Sequence, residues 1–232
     1  MEATPVPSAK AWTREAKEEL ANAITHGLGA ALAVAALVLM VVFASLRGTA
    51  RHIVGASIFG SSMVLLYVMS TLYHSFRSRR VKLVFRVLDH ASIFVLIAGT
   101  YTPLCLATLK GAWGWTLFGL IWGLAAVGIT LKSILLSRAE HLLGRRFWEG
   151  ISLAIYLLMG WLVVIAIVPL TRALPLGGLL WLFGGGLFYS LGAIVYGWRR
   201  LPFHHACWHL AVVAGTGCHF ACVLAYVIPG KG

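Results

Sequence analysis

Charge is scarce in this sequence, and acid is scarcest of all. Only 11% of the 232 residues are charged, and seven are Asp or Glu. A soluble domain carries roughly 25% charged residues. A sizeable soluble catalytic domain is therefore excluded. Cysteine is sparse as well. Cys105, Cys207, Cys218 and Cys222 fall in or beside apolar runs, where a thiol behaves as a small hydrophobe. They imply no extracellular disulfide scaffold. No secretory leader is expected, because the first 22 residues are polar and no short apolar stretch with a cleavage site follows. There is no Gly-x-x-x-x-Gly-Lys-Ser/Thr stretch to cradle a nucleotide. There is also no internal repeat and no low-complexity linker.

What the chain has is apolar length. Hydrophobic residues make up 60% of it, gathered into seven runs at about 24–46, 53–73, 88–109, 113–131, 151–170, 176–198 and 206–228. A helix of about 20 apolar residues spans a bilayer core of about 30 Å. Backbone groups in lipid must be bonded within their own segment, so each run is expected to be a helix. The expected fold is an all-α integral membrane protein, a seven-transmembrane-helix bundle over 23–230. A polar N-terminal tail over 1–22 precedes it. The glycine run Gly184–Gly186 lies inside an apolar run, where close helix packing explains it better than phosphate binding.

The net charge of +12 would suggest nucleic acid in a polar protein. Here the cations sit between apolar runs, so no nucleic-acid partner is expected. With the N-terminus in the cytoplasm, fourteen of the nineteen Lys and Arg residues fall on inner segments, including Lys10, Lys17, Arg77, Lys132 and Arg199. Arg47, Arg51, Lys110, Arg172 and Lys231 fall outside. The positive-inside rule then places the N-terminus in the cytoplasm and the C-terminus outside. Trp113, Trp115, Trp148, Trp198 and Trp208 suit interfacial belts.

Ionisable side chains within a span are costly and mark a functional site by default. Here they gather. His74 ends the second run, Asp89 opens the third, and His205 and His209 open the seventh, all on one membrane level in this topology. His205 and His209 are i and i+4 and project from one helix face. Two imidazoles at this spacing can grip one metal ion. Ser70 and His74 share the spacing. A third histidine from another helix would complete a His₃ set with an open fourth position, the arrangement of a catalytic zinc site. Asp89 could then hold or deprotonate a water on that metal, with a pKa lowered to about 7. Cys207 points away from this face at 100° per residue and is not counted as a ligand. Glu19, Asn22 and His26 form a further stripe at i, i+3 and i+7, able to hydrogen-bond around the site or simply to start the first helix at Asn22. His52, His141 and His204 read as partly solvated interfacial rings. His219 is expected to hydrogen-bond a neighbouring helix.

These residues carry a resemblance. The motifs Glu19-x-x-Asn22-x-x-x-His26, Ser70-x-x-x-His74, Asp89-His90 with the Ile97–Pro103 run, and His205-x-x-x-His209 resemble the hemolysin III family of bacterial membrane proteins. That family belongs to the progestin and adipoQ receptor (PAQR) superfamily, which includes the adiponectin receptors. The likeness spans about residues 18 to 228. It implies seven helices with a cytoplasmic N-terminus. It also implies Zn²⁺ held by His74, His205 and His209, with Asp89 holding the zinc-bound water and Ser70 beside it.

The expected function is a zinc-dependent hydrolase of a lipid amide or ester bond in the bacterial cytoplasmic membrane. Membrane lipid would be its substrate or ligand. Asp89 and Ser70 would be its catalytic residues, with Glu19, Asn22 and His26 supporting the metal. Two alternatives are a non-catalytic, zinc-stabilised regulator of membrane lipid or energy homeostasis, and a cytolytic pore. A hormone-receptor role is not expected, because no long N-terminal domain is present in this sequence.

Overall fold

The computed structural model describes residues 13–229, with the side chains of 135–141, 143 and 145 excepted; His141 therefore lies outside the described side chains. Among the described residues there is no strand. Seven helices are long and apolar enough to cross a membrane: α1 (Arg14–Arg47), α2 (Ala50–Ser75), α3 (Arg79–Leu109), α4 (Gly111–Leu143), α5 (Arg146–Ala173), α6 (Leu176–Gly197) and α7 (His204–Val227). The shortest has 22 residues, about 33 Å at 1.5 Å per residue. The chain is a multi-pass membrane protein.

Two helices start well before their apolar runs. Thr13 caps α1 by accepting from Ala16 N–H at 3.2 Å, so α1 begins at Arg14 and not at Asn22. The basic run 79–86 is helical too. Asp89 therefore sits ten residues inside α3 rather than at its start. Both extensions are rich in charge, and a hydropathy window sees only the part of a helix that lipid covers.

Neighbouring helices pack in sequence order, and α7 returns against α1, closing a ring. The α1 stripe Asn22, His26, Gly29, Ala33, Met40 and Ala44 faces inward, while Leu28, Leu32, Val42 and Leu46 are exposed. Polar and small side chains thus face the interior and large apolar ones the lipid, as the bilayer demands. Gly55 of α2 lies against Pro103 of α3, and a Cβ there would come within 2.8 Å of the Pro103 Cα. Close approach, not flexibility, requires that glycine. Pro103 lacks an N–H, and the helix widens just after it into a π turn over Leu104–Leu109.

One hydroxyl holds the break in α5. The ladder tightens to a 3₁₀ turn over Leu162–Ala166. Tyr101 Oη donates to the carbonyls of Met159 (2.9 Å) and Gly160 (2.7 Å) and accepts from Val163 N–H (2.8 Å). Tyr101→Phe takes the acceptor from the buried Val163 N–H and the hydroxyl donor from both carbonyls. It is expected to cost about 1–3 kcal/mol, read as a lowered thermal midpoint in detergent. An unchanged midpoint would show that α5 bends without this anchor.

Candidate metal centre

Three imidazoles converge where α2 and α7 meet α1. One ligand nitrogen from each of His74, His205 and His209 lies within 4.8 Å of the other two. Ring centroids are 5.0 Å apart for His74 and His205, 5.2 Å for His74 and His209, and 4.6 Å for His205 and His209. Local structure sets this up. Phe203 takes a left-handed backbone (φ 55°) and turns the chain into α7, placing His205 in its first turn and His209 one turn on. His74 closes the last turn of α2.

The hydrogen bonds fix which nitrogen faces the centre. His74 Nδ1 lies 3.2 Å from Glu19 Oε2. A carboxylate only accepts, so Nδ1 carries the proton and Nε2 keeps its lone pair. That Nε2 is buried without a partner. His209 Nδ1 lies 3.2 Å from the Asn22 carbonyl and 3.1 Å from Thr25 Oγ1. Thr25 donates to the Ala21 and Asn22 carbonyls, so its hydroxyl accepts from His209. His209 Nε2 is thereby left with its lone pair as well. An imidazole whose N–H is held by a carboxylate or carbonyl is oriented and made more basic as a ligand. The set fits a metal ion on the chemistry of its donors and on the unpartnered His74 nitrogen.

The α1 stripe works through contacts that sequence spacing does not specify. Glu19 is itself anchored by Lys82 Nζ at 2.7 Å. Asn22 acts through its backbone carbonyl, and its side-chain Oδ1 has no partner. His26 stacks on His209, centroids 3.5 Å apart and planes 12° from parallel, with Tyr67 against its edge at 5.1 Å. Thr25 and Lys82 were not among the expected site residues. Lys82 is one cation of a basic run, and a helical Thr ordinarily bonds its own backbone, so neither carries a signal in the sequence.

Asp89 is buried on the wall of the same cavity, with the buried Ser70 hydroxyl beside it. The cavity holds about 590 Å³ and runs from Glu19 and His74 past Ile93, Leu157 and Phe183 to Tyr189 and His219. Cys207 is exposed and outside the cluster. His219 Nε2 contacts the Leu182 carbonyl at 3.1 Å, the bond to a neighbouring helix expected for it. His52 differs from expectation. It is buried, and its Nδ1 accepts from Thr49 N–H at 3.0 Å, closing the start of α2. The backbone donors left open at a helix start supply the reason.

Glu19→Gln should test the support beneath His74. It keeps the shape and removes the carboxylate, and metal affinity is expected to fall about 10–100-fold. Competition with a chelator reads it. Unchanged affinity would reduce Glu19 to a partner of Lys82.

Fold and cluster together define a seven-helix membrane protein with three histidines close enough to hold a metal ion. A family model described as "Haemolysin-III related" matches residues 14–220, and the chain belongs to that family. It is 48% identical over 217 residues to Hemolysin-3 of Bacillus cereus, covering 94% of this chain and 95% of the relative. It is 47% identical over 212 residues to a Hemolysin-3 homolog of Bacillus subtilis, covering 91% and 95%. Human monocyte to macrophage differentiation factor is 27% identical over 216 residues, covering 90% and 84%. That similarity supports the link to the PAQR superfamily.

Proposed function

We propose that this protein is a zinc-dependent hydrolase of a lipid amide or ester bond, acting at the cytoplasmic ends of its helices. One observation carries the reading. Three histidines whose nitrogens are close enough to share an ion, and a buried carboxylate, open onto a single cavity that continues between apolar side chains into the bundle. A lipid chain could lie there with its head group at the histidines. The basic residues Arg77, Arg79 and Arg80 flank the same end, which supports placing it in the cytoplasm.

His74, His205 and His209 would hold the ion. Bound Zn²⁺ supplies Lewis acidity, polarising the carbonyl and making water a nucleophile near neutral pH. Asp89 takes the proton from the attacking water and passes it to the departing group. Ser70 Oγ donates a hydrogen bond to Asp89 or to the developing oxyanion. Glu19, Thr25 and the Asn22 carbonyl hold two of the imidazoles in the correct tautomer. The apolar wall excludes bulk water from the reacting carbonyl.

A non-catalytic metal would need no such cavity. The name of the Bacillus cereus relative points to lysis, but a pore requires a polar path across the bundle. None of Arg47, Arg51, Lys110 and Arg172 lines the cavity. The test is fatty-acid release from a panel of lipid amides and esters in mixed micelles. Release should require zinc, stop on chelation and return on reloading. A protein holding one metal per chain that releases nothing across the panel would favour the structural reading.

A further inference from the structure

The deep end of the cavity holds a second polar set that the proposed chemistry leaves unused. Tyr189 of α6 and His219 of α7 line it, with ring centroids 5.4 Å apart. His219 lies ten residues along α7 from His209, about 15 Å at 1.5 Å per residue. It therefore sits in the apolar middle of the span. Its Nε2 faces the Leu182 carbonyl at 3.1 Å. A carbonyl only accepts, so Nε2 carries the proton and Nδ1 keeps a bare lone pair. That Nδ1 is buried and has no partner in the protein. Gly185 makes room for the ring, and a Cβ there would collide with it.

The hydroxyls beside it are of the same kind. Thr216 Oγ1 donates to the Val212 carbonyl at 2.8 Å. The phenols that reach Thr216, Tyr67 at 2.9 Å and Tyr189 at 2.8 Å, must then both donate to it. Each phenol has spent its single proton and retains only acceptor capacity. The floor thus offers Tyr189 Oη and His219 Nδ1 as acceptors, with no proton left to share between them. A buried acceptor without a donor is rare and costly, so the arrangement calls for a donor from the occupant.

We propose that the lipid held in this cavity carries a hydroxyl partway down its acyl chain, and that its single proton is shared in a three-centre hydrogen bond between Tyr189 Oη and His219 Nδ1. The position follows from the spacing. A carbon chain with bonds of about 1.5 Å advances roughly 1.3 Å per carbon. A span of about 15 Å corresponds to a hydroxyl near the twelfth carbon. This rests on the lipid reading above, which puts the carbonyl at the histidines. It adds a specificity determinant at the other end of the molecule.

Binding, not turnover, tests it. The purified protein in detergent is titrated with 12-hydroxyoctadecanoic, 7-hydroxyoctadecanoic and plain octadecanoic acid, each displacing a fluorescent fatty acid. The 12-hydroxy acid should bind about tenfold tighter than the other two, as one buried hydrogen bond implies. Tyr189→Phe and His219→Phe should each reduce that preference and leave octadecanoic acid binding unchanged. Should His219→Phe fail to fold against Gly185, Tyr189→Phe carries the test alone. Equal binding of the three acids by the wild type would overturn the proposal and leave the acceptors to buried water. So would a preference that survives Tyr189→Phe unchanged. Failure of every acid to bind would overturn the lipid reading along with it.

Discussion

Replacing His205 and His209 together by Ala should strip the protein of its metal. The wild type in detergent is expected to hold about one zinc per chain, the stoichiometry of a single His₃ site. The double variant should hold none measurable. His74 would remain, still held by Glu19, but one neutral imidazole is a weak ligand by itself. Ala is the best helix former, so α7 should persist and the loss should be local. Two secondary effects are expected. The thermal midpoint should fall toward that of chelated wild type, because a ligand bound only to the folded state adds stability by mass action. Added zinc should no longer raise it. Wild type that takes up no metal even when zinc is supplied would leave a polar network tying α1, α2 and α7 together. The hydrolase proposal would fall with it.

What could be read from the sequence divides along a physical line. Lipid imposes a strong one-dimensional signal, so seven spans and the polar residues inside them stand out without any tertiary information. His74, His205, His209 and Asp89 were legible for that reason, and Ser70 through its spacing from His74. The missing parts are those a hydropathy pattern cannot carry. The first turns of α1 and α3 are helical but polar, so their starts at Arg14 and Arg79 were hidden. Glu19 was visible as one position of a stripe, whereas its bond to His74 and its clamp by Lys82 depend on how α1 meets α2 and α3. The stripe leaves Asn22 either a partner near the site or a helix start, and it is the Asn22 carbonyl that meets His209. Nothing about a side chain forecasts which backbone group a neighbouring helix will use. His52 closes the start of α2 instead of lying solvated, because solvation at an interface and capping of a helix start ask for the same residue at the same level.

Asp89→Asn should separate chemistry from metal binding. The two side chains are nearly the same size, so the cavity wall keeps its shape. Asn retains a carbonyl oxygen that can accept a hydrogen bond from water, and it cannot take the proton. If Asp89 is the base, turnover should drop by about 10²–10⁴-fold, the range for removal of a positioned acid–base group. The drop should fall on kcat, with KM nearly unchanged, because the loss belongs to the transition state. Zinc content should stay at the wild-type level, since the proposed donors are the three histidines close enough to share an ion, His74, His205 and His209. Metal analysis and turnover on one preparation read both halves at once. Unchanged turnover would sink the proposed base. A joint fall of turnover and zinc would reassign Asp89, buried beside Ser70 on the cavity wall, to holding the metal site together. Only full metal with lost turnover fits a carboxylate that moves the proton.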